Sequence, residues 1–439
     1  MMPPMKPTLL ALLLLIVPVA SGQQPAATSS DDHQLIQQLL QRVQDLEAEV
    51  QRLKGAPTVS AAVPPAAAAQ PATPAVQPPT AQTPAPPAPP ERRQATSGDM
   101  MGMPGMHNVT LPVTEGLQFR GFSDVGFTDS DQKGAHSTFL DGAFNLFITS
   151  KVTDKVSVLG ELIFEFDPTN TLHTDLERML ITYTPSDYLT LTAGRYHTSI
   201  GYYNTAYHHA SWLLTTVNRP FLFAFEDQGG ILPTHNVGAQ ATGLIPSGPL
   251  GLHWVAEIGN GRTSHSTSGS VAEAVQIQQD ENSRKSYNFA AFARPVGVPG
   301  FQTGFSVYGD RLYPTVGPRV AETIWDGYLT YHPSGMEFTN EVLVMRHAIE
   351  GSSQVYHNTG FYSLLSKNLG KYRPYFSYEY LNIARNEPVW GSIGLRHGPS
   401  TGLRYELNES VAFKLEYYRL MRRGIADVNG VRTQIAFTF

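Results

Sequence analysis

The chain has 439 residues, of which 41% are hydrophobic and 15% charged, with a formal net charge of −6 and no cysteine. Without cysteine it can form neither disulfides nor an N-terminal lipid anchor, which needs a cysteine after the cleavage site. No basic cluster of the kind that binds nucleic acid stands out, so we expect no nucleic-acid partner.

Residues 1–22 are expected to form a secretory signal peptide. Lys6 precedes a short apolar run over 9–17, and Ala20 and Gly22 offer a small-residue cleavage site. The run is too short to favour a membrane-spanning helix, and no other segment approaches the roughly 18 consecutive apolar residues that such a helix needs.

Residues 23–55 are expected to contain a coiled coil. Over 31–54, branched residues recur at heptad position a and leucine at position d. An amphipathic helix docked on another element would show the same pattern, but we favour self-association, and the pattern leaves two or three strands open. The predicted core residues are Ile36, Leu39, Val43, Leu46, Val50 and Leu53.

Residues 56–115 are expected to link the coiled coil to the next domain. Pro and Ala dominate 56–92, a composition that buries no core and favours an extended spacer. The junction 99–108 is rich in methionine, whose thioether suits Cu(I), although an incidental Met-rich junction is the simpler reading. The candidate metal ligands are Met100, Met101, Met103, Met106 and His107.

Residues 116–439 show the alternation of a transmembrane β-barrel. In "VAFKLEYY", Phe413, Leu415 and Tyr417 share one face, and Lys414 and Glu416 share the other. Short and long connections also alternate along the chain, as such barrels require. The predicted strands are 116–128, 138–150, 155–167, 174–184, 188–196, 236–243, 249–259, 285–295, 301–311, 321–332, 335–347, 354–367, 371–383, 399–408, 411–421 and 430–439.

The chain ends in "VRTQIAFTF", an alternating segment closed by Phe439. This ending resembles the C-terminal signature of bacterial outer-membrane β-barrels, in which the assembly machinery reads the terminal aromatic residue. The strand count resembles the sixteen-stranded porins, more narrowly those with a periplasmic coiled-coil extension. There is a looser likeness to phosphate-selective porins.

The resemblance implies an all-β antiparallel barrel in the outer membrane of a Gram-negative-type bacterium, in contact with lipid and lipopolysaccharide. It further implies a homotrimer and passive diffusion of small hydrophilic solutes or ions, without enzymatic activity or a cofactor. The coiled coil would lie in the periplasm.

The longest connection, 197–235, contains "YYNTAYHHASWLLTTVNRPF". In sixteen-stranded porins the third external loop folds inward and narrows the pore, and this connection holds the third place. We expect aromatic residues to anchor the loop and polar residues to face the passage. A metal site at adjacent His208 and His209 is less favoured because neighbours on an extended segment point apart. The constriction candidates are Tyr207, His208, His209, Arg219, Glu226, Asp227 and His235.

The face opposite the apolar one should line the pore, and its charges are of mixed sign. No basic run comparable with the arginine ladders of phosphate-selective porins is present, so the resemblance does not extend to phosphate specificity. The pore-lining candidates are Arg120, Asp124, Asp141, Glu161, Glu165, Arg373, Glu379, Arg404 and Glu406.

Three alternatives to a porin are an enzyme, a copper-related protein and a tether. "GPSTG", 398–402, fits G-x-S-x-G, but that motif needs a strand–turn–helix elbow and here it opens a predicted strand. An enzyme is therefore not expected. A copper-related outer-membrane protein would use the Met-rich junction, and a tether would act through the coiled coil with the barrel as an anchor.

Overall fold

The computed structural model describes residues 116–167, 169–207, 211–263, 275–314 and 317–439. The predicted signal peptide, coiled coil, linker and Met-rich junction lie outside the described residues, as do His208 and His209. Within the described ranges, no helix is long and apolar enough to cross a membrane.

Seventeen β-segments form one antiparallel sheet. They are β1 (Gly116–Ser130), β2 (Thr138–Asp141), β3 (Phe144–Lys151), β4 (Val156–Phe166), β5 (Leu172–Ser186), β6 (Leu189–His197), β7 (His235–Ile245), β8 (Leu252–Gly259), β9 (Ser286–Ala293), β10 (Phe301–Leu312), β11 (Val320–Tyr331), β12 (Met336–Ile349), β13 (Val355–Lys367), β14 (Tyr372–Asn382), β15 (Leu395–Glu406), β16 (Val411–Arg422) and β17 (Ile425–Thr438).

The sheet closes on itself as a barrel. β2 and β3 both pair with β1 and so act as one strand, which gives sixteen strands in all. β1 also pairs with β17, so the first and last strands satisfy each other's hydrogen bonds. The predicted all-β, sixteen-stranded antiparallel barrel is confirmed.

Connection length differs between the two ends of the barrel. The end that holds the start of β1 and the end of β17 has short connections, such as 187–188 and 332–335. The other end, called here the loop end, has the three longest: 198–234, 260–285 and 383–394. The predicted asymmetry of short turns and long loops is therefore present.

The outer face of the barrel is apolar, and the inner face carries polar and charged residues alongside the apolar ones that pack against connection 198–234; β16 illustrates the alternation. Phe413, Leu415 and Tyr417 are 41%, 43% and 45% exposed on its outer face. Lys414 and Glu416, on the inner face, are buried. The strict period of two, in which successive side chains point to opposite faces, confirms the predicted alternation.

Two predicted boundaries were wrong. β15 begins at Leu395, earlier than predicted, and β17 begins at Ile425 rather than 430. β16 and β17 are joined by the tight turn Arg423-Gly424, in which Gly424 has φ +75°. The first residues of β17 are polar, which in the sequence predicts a loop. A two-residue hairpin turn that contains glycine is nevertheless long enough to join β16 to β17.

One predicted pore-lining residue lies on the wrong face. Asp141 is directly opposite Val125, whose side chain is exposed on the outer face. Beyond the break at 142–143, Asn145 is opposite the buried Phe122 and points inward, so the inward-facing and outward-facing positions of β3 are those predicted. The break shifts the register by one residue and turns Asp141 outward, which corrects its predicted place in the lumen.

Candidate functional site: an inward-folded loop and the wall it contacts

Loop 198–234 folds into the barrel. It contains the short helix α1 (Tyr203–Ala206) and two 3-10 turns, Ser211–Leu213 and Phe221–Phe223. Tyr203 stacks on Phe223 at 4.6 Å between ring centroids, and both pack edge-on against Tyr362 of β13. The loop thus builds its own aromatic core against the inner wall, as the sequence indicated.

Carboxylates on the inner wall of the barrel accept hydrogen bonds from backbone N–H groups of the loop. Glu341 of β12 accepts hydrogen bonds from the N–H of Tyr202 at 3.2 Å and of Tyr203 at 2.9 Å. Glu379 of β14 accepts the N–H of Phe221 at 2.7 Å. Such groups would otherwise be orphaned inside the protein, at a cost of about 1–3 kcal/mol each.

The loop enters the barrel through Gly201. Its φ is +70°, a conformation that residues with a side chain rarely adopt. A Cβ at this position would lie 1.9 Å from Oε1 of Glu341 and 2.7 Å from Oδ1 of Asp326. Both the backbone turn and the neighbouring carboxyl groups therefore require glycine here.

The middle of the loop reaches the end of the barrel that is opposite the loop end. The hydroxyl of Tyr207 donates to Glu337 at 2.6 Å, and that of Thr215 donates to the same carboxylate at 2.5 Å. Glu337 is the second residue of β12, directly after a turn at the short-connection end. The loop consequently descends most of the height of the lumen.

Two buried basic side chains hold this deep portion of the loop. Arg404 of β15 donates to the carbonyl of Leu214 at 2.7 Å. Lys414 of β16 donates to the carbonyls of Ser211 at 2.6 Å and Thr216 at 2.9 Å. The carbonyls of a tight turn cannot bond to one another, so these side chains satisfy them.

Arg219 holds the loop to itself. Its guanidinium donates to the carbonyls of Phe223 and of Tyr207, the latter at 2.8 Å, and lies 4.2 Å from the ring centroid of Phe225. Burial lowers the pKa of Arg219 to about 10, so it remains charged at neutral pH. Arg219 therefore holds parts of the loop together and does not mainly present its charge to the passage.

A buried group of ionisable residues lies where the loop leaves the wall. His197 ends β6 and His235 begins β7, and the two are direct partners in the ladder. Nε2 of His235 is 2.7 Å from Glu177, and its Nδ1 is 3.1 Å from Glu226 of the loop. Burial alone would raise the pKa of Glu226, but the charge and hydrogen bonds of His235 outweigh it and hold the pKa below its usual value.

A β-bulge brings Glu177 into this group. Glu161 of β4 pairs with Arg178 and Leu162 pairs with Leu176, so Glu177 is the extra residue of β5. Both Glu177 and Arg178 are consequently buried, and Arg178 forms an ion pair with Glu161. Strict alternation would have turned either Glu177 or Arg178 toward the outer face, and bulges commonly re-aim one side chain in this way.

A second buried network joins the three long connections at the loop end. His347 of β12 lies between Glu322 of β11 at 2.7 Å and Glu387 of loop 383–394 at 2.6 Å. Arg262, in connection 260–285, pairs with Glu322 and donates to the carbonyl of Ile231 in loop 198–234. No sequence motif indicates this network, because its members are far apart in the chain.

The other pore-lining candidates lie on the inner side of the wall. Arg120 is paired with the buried Phe147, and Arg373 reaches Thr215 at 3.3 Å. Apart from Asp141, the candidates placed inward are Arg120, Asp124, Glu161, Glu165, Arg373, Glu379, Arg404 and Glu406.

Most of the predicted constriction residues that the structure describes are buried and do not line an open passage. Tyr207, Glu226 and His235 are 5%, 3% and 0% exposed, so the expectation that they face the passage is wrong. Their polar atoms are used to hold the loop, since a buried polar group needs a partner. Arg219 and Asp227 are half-buried.

Basic residues from four adjacent strands converge on one wall. Arg373 of β14 is opposite Arg404, which is opposite Lys414 of β16, and Arg396 is opposite Arg422. We call the following six residues the basic wall: Arg373, Arg396, Arg404, Lys414, Arg422 and Arg432. No basic run appears in the sequence because the register, rather than sequence proximity, brings them together.

Acidic residues gather elsewhere, beyond β1 to β3. Glu165 of β4 shares a hydrogen bond with Asp227 of the loop, and the charges of Asp175 and Glu177 act on it. These four residues are called the acidic corner. The inner surface therefore carries charge of opposite sign in two separate places.

Comparisons with known proteins agree with this architecture. No protein-family model matches the sequence, and no curated protein matches it. Among solved structures, an anion-selective porin from Comamonas acidovorans is similar over 74% of this chain and 99% of its own, with 10% identity and a TM-score of 0.54. The outer-membrane channel DcaP of Acinetobacter baumannii is similar over 74% and 97%, with 12% identity and a TM-score of 0.50. The chain has the fold of the outer-membrane porins. At these identities the likeness concerns the fold.

Proposed function

We propose that this protein is a porin-type channel of a Gram-negative-type outer membrane, and not an enzyme. The observation that supports it best is the combination of a closed sixteen-stranded barrel, an apolar outer face and a polar inner face. An apolar exterior suits lipid, whereas a polar interior suits water and dissolved solutes.

Loop 198–234 would be the constriction. It fills part of the lumen and is held there by hydrogen bonds to β12, β14, β15 and β16. Because this packing is dense and buried, the loop would act as a fixed narrowing, and passage would be passive diffusion through the space it leaves.

The charges at the narrowing favour small anions. The six residues of the basic wall outnumber the inward-facing carboxylates on the same strands, which are Glu379, Glu406 and Glu416. The acidic corner lies apart from it and would draw cations to a different part of the lumen. A field across the passage would then steer anions along β14 to β17.

Planar-bilayer recording on the purified full-length protein tests this proposal. We expect stepwise conductance, with a reversal potential in a salt gradient whose sign indicates anion preference. An absence of conductance steps would contradict the channel. Steps with a cation-selective reversal potential would leave the channel intact but contradict the role of the basic wall.

We also propose that the protein forms a trimer in the membrane, with the predicted coiled coil on the periplasmic side. Exposed aromatic and aliphatic residues surround the barrel and offer surface for lipid, lipopolysaccharide or neighbouring copies. Cross-linking in intact outer membranes, followed by electrophoresis of the linked species, would reveal three chains. A monomer alone would contradict the trimer.

A further inference from the structure

We propose that Glu177, His197 and His235 form a binding site for a divalent transition-metal ion, with Zn²⁺ as the best-suited ion. One ligand atom from each residue lies within 4.8 Å of the others, and all three side chains are buried. Two imidazoles and one carboxylate are a common protein ligand set for zinc.

The ring orientations support this site. Nδ1 of His197 is 3.2 Å from the backbone carbonyl of Asn204, and Nδ1 of His235 is 3.1 Å from the carboxylate of Glu226. An oxygen at Nδ1 fixes the ring and directs Nε2 to the metal, as the outer partners of metal-bound histidines do. Both histidines have such a partner.

The spacing also fits an ion. Nε2 of His235 and Oε2 of Glu177 are 2.7 Å apart. Tetrahedral zinc with bonds of about 2.0–2.2 Å holds its ligand atoms about 3.3–3.5 Å apart, so these two atoms would need to separate by about 0.6–0.8 Å, which a side-chain adjustment can supply. The ion would then replace the proton on Nε2, and that proton would leave to solvent.

The surroundings carry excess negative charge. Glu226 contacts His235 directly, and Glu165, Asp175 and Asp227 of the acidic corner lie next to the group. Two arginines lie near these residues: the guanidinium of Arg195 is 3.6 Å from Glu177, and the charge of Arg219 acts on Glu177 and Glu226. Half-buried carboxylates beside a buried site would attract a divalent cation from the lumen.

The site would clamp the base of loop 198–234. His197 and His235 are the strand residues that flank the loop on its two sides, and Glu177 is brought to them by the bulge in β5. Because Glu226 belongs to the loop, a bound ion would couple the loop to three strands. A bound metal ion would therefore fix the position of the loop at the constriction of the channel.

Cobalt binding tests this inference. The full-length protein in detergent would be stripped with a chelator and titrated with Co²⁺, whose visible d–d bands report nitrogen and oxygen ligands. We expect one Co²⁺ per chain, displaced by Zn²⁺. Glu177→Gln and His197→Gln should each weaken binding at least roughly tenfold, since even outer partners cost that much.

Two controls make the test specific. His136→Gln, in the exposed connection 131–137, should bind Co²⁺ as the unsubstituted protein does. A chain with Met100, Met101, Met103 and Met106 changed to Leu should also keep its binding. If it does not, the Met-rich junction is the site and the inference is overturned.

A separate measurement on the unsubstituted protein tests the site even if the variants do not fold. Anomalous diffraction from the unsubstituted protein soaked in Zn²⁺ should show a peak between Glu177 and His235. No peak there, or no saturable Co²⁺ binding by the unsubstituted protein, would overturn the inference. Either result would leave the porin proposal standing, because bilayer conductance is measured separately.

Discussion

The backbone N–H of Tyr203 donates a 2.9 Å hydrogen bond to the carboxylate of Glu341, and this bond joins loop 198–234 to the inner face of β12. The same carboxylate also receives the N–H of Tyr202. One acidic side chain thus fixes the first turn of the loop after its entry into the barrel.

Removing the Glu341 carboxylate should loosen the loop. Glu341→Ala leaves two buried N–H groups without an acceptor, at a cost of about 1–3 kcal/mol each. We expect more frequent brief closures in single-channel records and faster proteolysis within the loop. Glu341→Gln retains an oxygen acceptor and should behave more like the unsubstituted channel; equal behaviour of both variants would contradict the role assigned to the carboxylate.

Gly201 should tolerate no side chain. Gly201→Ala places a Cβ against the carboxyl groups of Glu341 and Asp326, so the loop should move and the conductance should change. Gly248→Ala is the matched control, since Gly248 also has a positive φ, +57°, but meets nothing within 4 Å. If both variants changed conductance alike, backbone strain rather than the contact with Glu341 would be the cause.

Arg219→Lys should disturb the loop while preserving its charge. Lysine cannot reproduce the planar fork that bonds to Tyr207 and Phe223 together. We expect about 1–3 kcal/mol of lost stability and noisier conductance, with little change in reversal potential. A large shift in reversal potential without added noise would instead place Arg219 in the passage as a selectivity charge.

Charge removal from the basic wall should weaken anion preference. A unit charge about 8 Å from an ion in water contributes about 0.5 kcal/mol, which is roughly a twofold effect on permeability. Arg396→Ser and Arg422→Ser together should therefore lower the anion-to-cation permeability ratio. Asp227→Asn should raise it, and shifts in the same direction for both would contradict the proposed separation of charge.

Asp167, in the connection between β4 and β5, should titrate in strong acid. The hydroxyl of Thr169 donates to its carboxylate at 2.7 Å, and this bond, with the N–H of Thr171, lowers the pKa of Asp167 to about 2. Its contribution to the turn is therefore complete above pH 3.8 and is lost as pH falls through about 2.

Carbon-13 chemical shifts of the labelled carboxyl group would measure this titration. Thr169→Val removes the hydroxyl donor and should move the midpoint upward, toward 3.8. A midpoint that stays the same in Thr169→Val would show that the hydroxyl of Thr169 is not responsible for the shift.

The sequence determined the barrel because alternation is a local property. Successive side chains on a strand point to opposite faces, so Lys414 and Leu415 could be assigned to the inner and outer faces without knowledge of any partner strand. The same rule failed at Asp141, where one residue breaks the period, and it cannot anticipate the extra residue Glu177 of the bulge in β5. Such breaks arise from pairing with a neighbouring strand, which the local pattern does not contain.

The site depended on tertiary structure. The position of the loop after the fifth strand, and its aromatic anchoring, followed from the sequence. Three features did not follow from the sequence. They are the pairing of each wall carboxylate with a backbone N–H of the loop, the convergence of the basic residues on one wall, and the contact between Glu177 and His235. These contacts join residues far apart in the chain, and the register and the entry angle of the loop at Gly201 set them. Strand periodicity is encoded residue by residue, whereas the chemistry of the lumen exists only once sixteen strands have closed around the loop.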